Sequence, residues 1–204
     1  MPTLIADPQS QYSARVQPVD VCTQEEFYDY QVEKLVSLKL ARYEDADGLR
    51  KKLPNSGLFI FVPPPPKQID LAAMMSKVVL DGRTGVNYLD PQYHEDLVPN
   101  PSKPSILADV EDGRGRLNVK PVDSRDNIKR EGRQPFTTWH GLIHVILFPE
   151  VLKHHYIDLV GSRFYAKLSP HLCLLDDKPA LDFSWFVSAY PVWGAASCGS
   201  VIVS

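Results

Sequence analysis

Nowhere in its 204 residues does the chain run to the roughly 18 consecutive apolar residues that a membrane-crossing helix needs. Its N-terminus, MPTLIADPQSQYS, has neither the basic nor the apolar part of a secretory signal. These absences predict a cytoplasmic protein with no membrane partner. Basic clustering is also missing. The formal charge is −3, and the richest basic stretch, Lys120 to Arg133, is interrupted by Asp123, Asp126 and Glu131. Such a stretch reads as a solvated face, and without clustered Lys and Arg to neutralise phosphates no nucleic-acid partner is expected. Cysteine is scarce. Cys22, Cys173 and Cys198 are an odd number without metal-ligand spacing, which fits free thiols in a reducing compartment. Gly161-Ser162-Arg163 lacks the pattern of a phosphate loop, so neither a nucleotide nor any other cofactor is indicated.

What is present is an ordinary globular composition, 44% hydrophobic and 23% charged, in a chain of a size that one domain can occupy. The expectation is a single domain over residues 21–204 behind a loosely ordered arm, 1–20. Thr23 followed by Glu25 and Glu26 opens a first helix, with Tyr28, Val32, Leu35 and Val36 at helical spacing. A second helix over 43–53 stops at Pro54. Leu58 to Val62 reads as a buried strand before the stiff connector Pro63–Pro66. The stretch 69–80 predicts a helix, weakened by Val78 and Val79, and 81–103 a long surface excursion. Ile106 to Glu111 reads as a strand, 123–130 as a short helix, and WHGLIHVILF, capped by Thr137 or Thr138 and limited by Pro149, as the central buried helix. Alternation then predicts strands that place Phe164, Ala166 and Leu168 on one face and Leu181, Phe183, Trp185 and Val187 on another, joined through Asp176 and Asp177. The fold class is α+β, with helices packed on a mainly antiparallel sheet formed largely by the C-terminal third.

Several segments, in order, resemble an uncharacterised, largely bacterial domain-of-unknown-function family: YQVEKLVSL, LADVEDG, NVKP, GRQPFTTWHGL, FPEVL, LVGSRF, SWF and WGAASCG. The resemblance implies one shared architecture and no chemistry. It directs attention to Gly161, Ser162, Arg163, Trp185, Pro191, Trp193, Ser197, Cys198 and Gly199. The chain departs from the family pattern just after Trp193, where it is one residue shorter, and at Trp139 and His140, where acidic residues are expected.

Three constellations are candidates for chemistry. Cys198, among the small residues of ASCGS, is a candidate nucleophile, with His140, His144 or His171 as base. The competing reading is a buried structural thiol. Asp109 and Glu111, two apart on one strand, are a candidate acid–base pair, or else carboxylates paired with Arg163 or simply solvated at the strand end. His140 and His144 share a helix face, yet no Glu follows the first and no third ligand has fixed spacing, so no metal site is assigned. A pocket walled by Trp185 and Trp193, with Arg163, Ser162 and Ser197 as its polar groups, is the candidate ligand site. The function expected from these residues is recognition of a small anionic molecule or of a protein partner. The alternative is an enzyme using Cys198 as nucleophile or Asp109 and Glu111 as an acid–base pair. Neither the ligand nor the oligomeric state follows from the sequence.

Overall fold

Side-chain caps at Thr23, Asp70 and Thr137 open three of the helices of this computed structural model; the structure describes residues 23–204, so the expected arm at 1–20 and Cys22 lie outside the described residues. In chain order the elements are α1 (Gln24–Ser37), α2 (Tyr43–Arg50), β1 (Ile60–Val62), α3 (Leu71–Met75), β2 (Val79–Leu80), β3 (Arg83–Thr84), β4 (Val86–Asn87), β5 (His94–Asp96) and β6 (Ser105–Glu111). There follow α4 (Pro121–Arg130), β7 (Gln134–Pro135), α5 (Thr138–Leu147), β8 (Tyr156–Asp158), β9 (Ser162–Phe164), β10 (Leu168–Leu175), β11 (Lys178–Trp185), β12 (Trp193–Ala195) and β13 (Ser197–Val203). The class is α+β. No helix among the described residues is long and apolar enough to cross a membrane. The chain forms two compact units, one of residues 23–64, Pro101–Val110 and Cys198–Ser204, the other of Pro65–Asn100 and Glu111–Ser197.

In the first unit, Thr23 and Glu26 close the expected capping box at the start of α1. One face of α1 buries Phe27, Tyr28, Val32 and Leu35. Phe27 meets Phe59 edge-on at 5.2 Å, and Tyr28 meets Phe61 edge-on at 5.5 Å. Arg50 of α2 grips Asp29 of α1 with two hydrogen bonds of 3.0 and 2.8 Å. Strand β1 pairs antiparallel with β6, from Ile60 opposite Leu107 to Val62 opposite Ser105, and β6 is bonded in turn to β13. Gln31 of α1 is fully buried. Its Nε2 donates to the Phe59 carbonyl at 3.2 Å, and its Oε1 accepts from the Phe61 N–H at 2.9 Å. The amide thereby stands in for a neighbouring strand beside β1.

In the second unit the sheet runs β12-β8-β10-β11-β4, with β9 on β10 and β5 on β9. Only the β11–β4 and β12–β8 pairs are parallel. The β10–β11 hairpin turns at Asp176 and Asp177, both left-handed, between Leu175 and its partner Lys178. That is the two-residue turn whose twist matches the strands. Asp81 and Gly82 make the same kind of turn between β2 and β3, so the helix expected over 69–80 ends at Met75 and its β-branched residues Val78 and Val79 lead into a strand. The expected surface excursion, 81–103, contributes β3, β4 and β5. Leu181 shares a strand with Phe183 and Trp185, but it is enclosed whereas they are 37% and 56% exposed. The hairpin's far end therefore leaves the core that its middle packs on.

All ten residues of α5 are buried, as expected of WHGLIHVILF. A Cβ at Gly141 would stand 2.3 Å from Leu159 Cδ2 and 3.0 Å from Leu172 Cδ1, so glycine is what lets the helix lie this close to the sheet.

Replacing Gln31 by Met fills similar volume and leaves the Phe59 carbonyl and Phe61 N–H without their partner. We expect a loss of roughly 2–6 kcal/mol in denaturant unfolding, at about 1–3 kcal/mol for each of the two stranded buried groups. A loss below about 0.5 kcal/mol would mean that water replaces the amide.

Candidate functional site

A helix start has backbone N–H groups with no partner inside the helix, and at a buried start water cannot supply one. At the N-terminus of α5 side chains do so. Thr137 Oγ1 accepts from His140 N–H, and Thr137 N–H donates to His140 Nδ1, each at 3.3 Å, a capping box with His in the place usually held by Glu. Thr138 N–H donates to Ser162 Oγ at 2.7 Å. Thr137 Oγ1 donates to Asn100 Oδ1 at 2.7 Å.

These partners are themselves held by Asp96. Ser162 Oγ donates to Asp96 Oδ1, and Asn100 Nδ2 donates to Asp96 Oδ2 at 2.7 Å. The antiparallel pairing of β5 with β9, Asp96 opposite Ser162 and His94 opposite Phe164, puts His94 and Asp96 on one face. His94 Nε2 lies 2.8 Å from Thr138 Oγ1 and 3.6 Å from Asp96 Oδ1. Burial pushes the His94 imidazole below its ordinary value, with Asp96 opposing. Burial thus favours the neutral ring, and its Nδ1 has no hydrogen bond to any described residue.

His94, Asp96 and Asn100 open onto a cavity of about 430 Å³. Lys67 and Gln68 stand in the same lining, with Pro65, Pro66, Ile69 and Leu71 as apolar wall. The volume falls in the range of small-molecule sites, about 300–1,000 Å³, and the mix of apolar wall with a few converging polar groups is that of a ligand pocket. None of His94, Asp96 and Asn100 was singled out from the sequence. The signal lay in the length of the 81–103 segment and in the His-x-Asp alternation that puts both side chains on one strand face.

The residues singled out from the sequence do not gather. Cys198 is fully buried in β13. Asp109 sits at a left-handed φ of 52°, with its carboxylate against Gly199. Glu111 accepts from the N–H groups of Gly113 and Gly115 at 2.9 and 2.8 Å and pairs with Arg116, not with Arg163. Arg116 also pairs with Glu131, and Ser197 Oγ accepts from Arg133 Nε at 3.0 Å, so Glu111 and Ser197 belong to a structural ion network. Arg163 is paired with Glu95. Trp185 is exposed, while Trp193 packs on His171 with ring centroids 4.1 Å apart. The cavity that Ser162 and Arg163 line has Phe186 as its aromatic wall, not Trp185 or Trp193. His140 and His144 are enclosed, and burial pushes both down to about 3. Among the described residues no three His, Cys, Asp or Glu side chains are grouped so as to hold a metal ion.

One buried acid stands apart. Asp158 on β8 lies opposite His171 on β10; it is 1% exposed, and its Oδ1 has no hydrogen-bond partner. Desolvation pushes its carboxyl up to about 7 from an ordinary 3.8, and burial pushes His171 down to about 3. Because the folded value of Asp158 is the higher one, its contribution to stability is fully present below pH 3.8 and is lost as pH rises through about 7. The buried histidines act in the opposite sense, losing stability as pH falls below 6.5. Asp158→Asn isolates the first effect. The melting temperature of the variant relative to wild type should move in its favour by several degrees between pH 4 and pH 8. A difference that stays constant over that range would place the ionised carboxylate in a solvated or paired state.

No curated protein and no solved structure matches the chain. A match to a family does exist, and it extends from the first described helix to the last strand. The chain belongs to the family of unknown function DUF5701, which matches residues 23–202.

Proposed function

We propose that this protein binds a small molecule carrying an acidic group in the cleft of Lys67 and His94, and that His94 accepts a proton from it there. The observation that carries this reading is the way His94 is held: neutral through burial, anchored at Nε2 by Thr138, beside a carboxylate, and lining a 430 Å³ cavity. We assign the ring proton to Nε2 because both Thr138 Oγ1 and Asp96 Oδ1 lie on that side. Nδ1 then offers its lone pair to the ligand, the arrangement of a general base. When the ring takes up a proton, Asp96 at 3.6 Å stabilises the imidazolium.

Lys67 supplies the charge for the ligand's acidic group. It is exposed at the cleft and makes no ion pair with any described residue. The anionic ligand expected from the sequence thus finds support at Lys67, away from Arg163 and Trp193. The buried thiol of Cys173 makes no disulfide, which fits a reducing compartment, and we propose the cytoplasm as the protein's location.

A panel of small hydroxy acids and amino acids, screened by thermal melting, tests the reading. A compound that stabilises the native state should lose most of its effect in Lys67→Ala and His94→Asn, and should slow acylation of His94 by diethyl pyrocarbonate about tenfold or more at saturation. His140, His144, His155 and His171 are buried, and the half-buried His154 is told apart from His94 by peptide mapping. Stabilisation that survives both substitutions, or acylation of His94 at one rate with and without every compound, would overturn the assignment.

A further inference from the structure

A second, smaller cavity of about 120 Å³ lies in the same unit, between the start of α4 and strands β9 and β10. Val122, Val160, Leu168 and Phe186 form its apolar wall, and Arg125, Arg163, Ser162 and Ser169 supply its polar groups. No Asp or Glu lines it. Arg125, half-buried on α4, makes no hydrogen bond or ion pair with any described residue. Arg163 turns Nε and Nη2 to one oxygen of Glu95, at 2.8 and 2.6 Å, which leaves Nη1 and its two N–H groups uncommitted. Ser169 is 3% exposed, and its hydroxyl makes only a long contact of 3.4 Å to the neighbouring Pro170 carbonyl.

Glu95, outside the lining, already pairs with Arg163, so the cavity keeps one uncompensated positive charge, that of Arg125, beside the spare N–H groups of Arg163 Nη1. An anion between the two guanidinium groups compensates it. The planar fork of arginine matches the oxygens of phosphate or sulfate two at a time, and a hydroxyl such as that of Ser169 completes the set of donors. The volume admits one such group and falls well short of the roughly 300 Å³ at which sites for larger molecules begin. We propose that this cavity is a binding site for a tetrahedral oxyanion of the phosphate class, held by Arg125 and Arg163 and separate from the His94 cleft.

Isothermal titration of the full chain with inorganic phosphate, at ionic strength matched with sodium chloride, tests the proposal. Wild type should bind, and its melting temperature should rise with phosphate above the chloride control. Arg125→Gln, on a half-exposed helix position without partners to lose, should fold as wild type does and bind at least tenfold more weakly. Arg125→Lys should fall between them, keeping the charge and losing the fork. His94→Asn should bind phosphate as wild type does; a loss there would assign the phosphate to the other cleft and overturn this proposal. So would a melting temperature no higher in phosphate than in chloride, or Arg125→Gln binding as well as wild type. A parallel titration with glycerol phosphate separates the sources. Tighter binding than inorganic phosphate identifies the group as part of a phosphorylated small molecule, and weaker binding identifies the free ion.

Discussion

The burial of the start of α5 is the constraint from which the rest of the second unit follows. A helix apolar on every side can be enclosed by a sheet, but its first-turn N–H groups then need acceptors that water cannot provide. Thr137 and Ser162 supply them, and these residues are themselves tied to Asn100 and Asp96. A carboxylate is thereby linked through one hydroxyl to the positive end of the helix dipole, where negative charge is favoured. The strand that delivers this carboxylate also delivers His94, two residues earlier on the same face. On this account the cleft's polar groups are where they are because a buried helix has to be capped.

The parts of the fold with a local cause were legible. Thr23 with Glu26 closes a capping box; WHGLIHVILF is enclosed along its length; Asp176 and Asp177 turn the hairpin. In each case the residues that explain the element are in it or next to it. The site was not legible for the opposite reason. His94 meets Thr138 across 44 positions and Asp96 meets Ser162 across 66, so no window of sequence contains both members of either pair. Arg163 illustrates the same difficulty. A partner for it was expected at Asp109 or Glu111, but strand pairing brings Glu95 opposite. Asp81-Gly82 is a different kind of case: the turn signal is local and strong, and it outweighs the helical pattern read through residues 69–80.

Charge is handled in three ways in this unit. Glu111, Arg116 and Glu131 satisfy one another in a chain of ion pairs and need nothing from outside. Asp158 and His171 are enclosed, and desolvation pushes both toward their neutral forms. Between these extremes lie groups at cavity walls with bonding capacity to spare: His94 Nδ1 and Lys67 in one cleft, Arg125 and Arg163 Nη1 in the other. Satisfied networks hold a fold together, whereas spare capacity at a cavity wall is what a ligand can use.

The central claim is that His94 stands in its cleft as a neutral base, not as half of a salt bridge. Nitrogen-15 shifts of the imidazole ring, followed through a pH titration by NMR, test this most directly. The account predicts a protonation midpoint below the ordinary 6.5, with a neutral ring at pH 7 whose proton is on Nε2. A midpoint above 6.5, with both ring nitrogens protonated at pH 7, would make His94 and Asp96 a structural ion pair and would contradict the account.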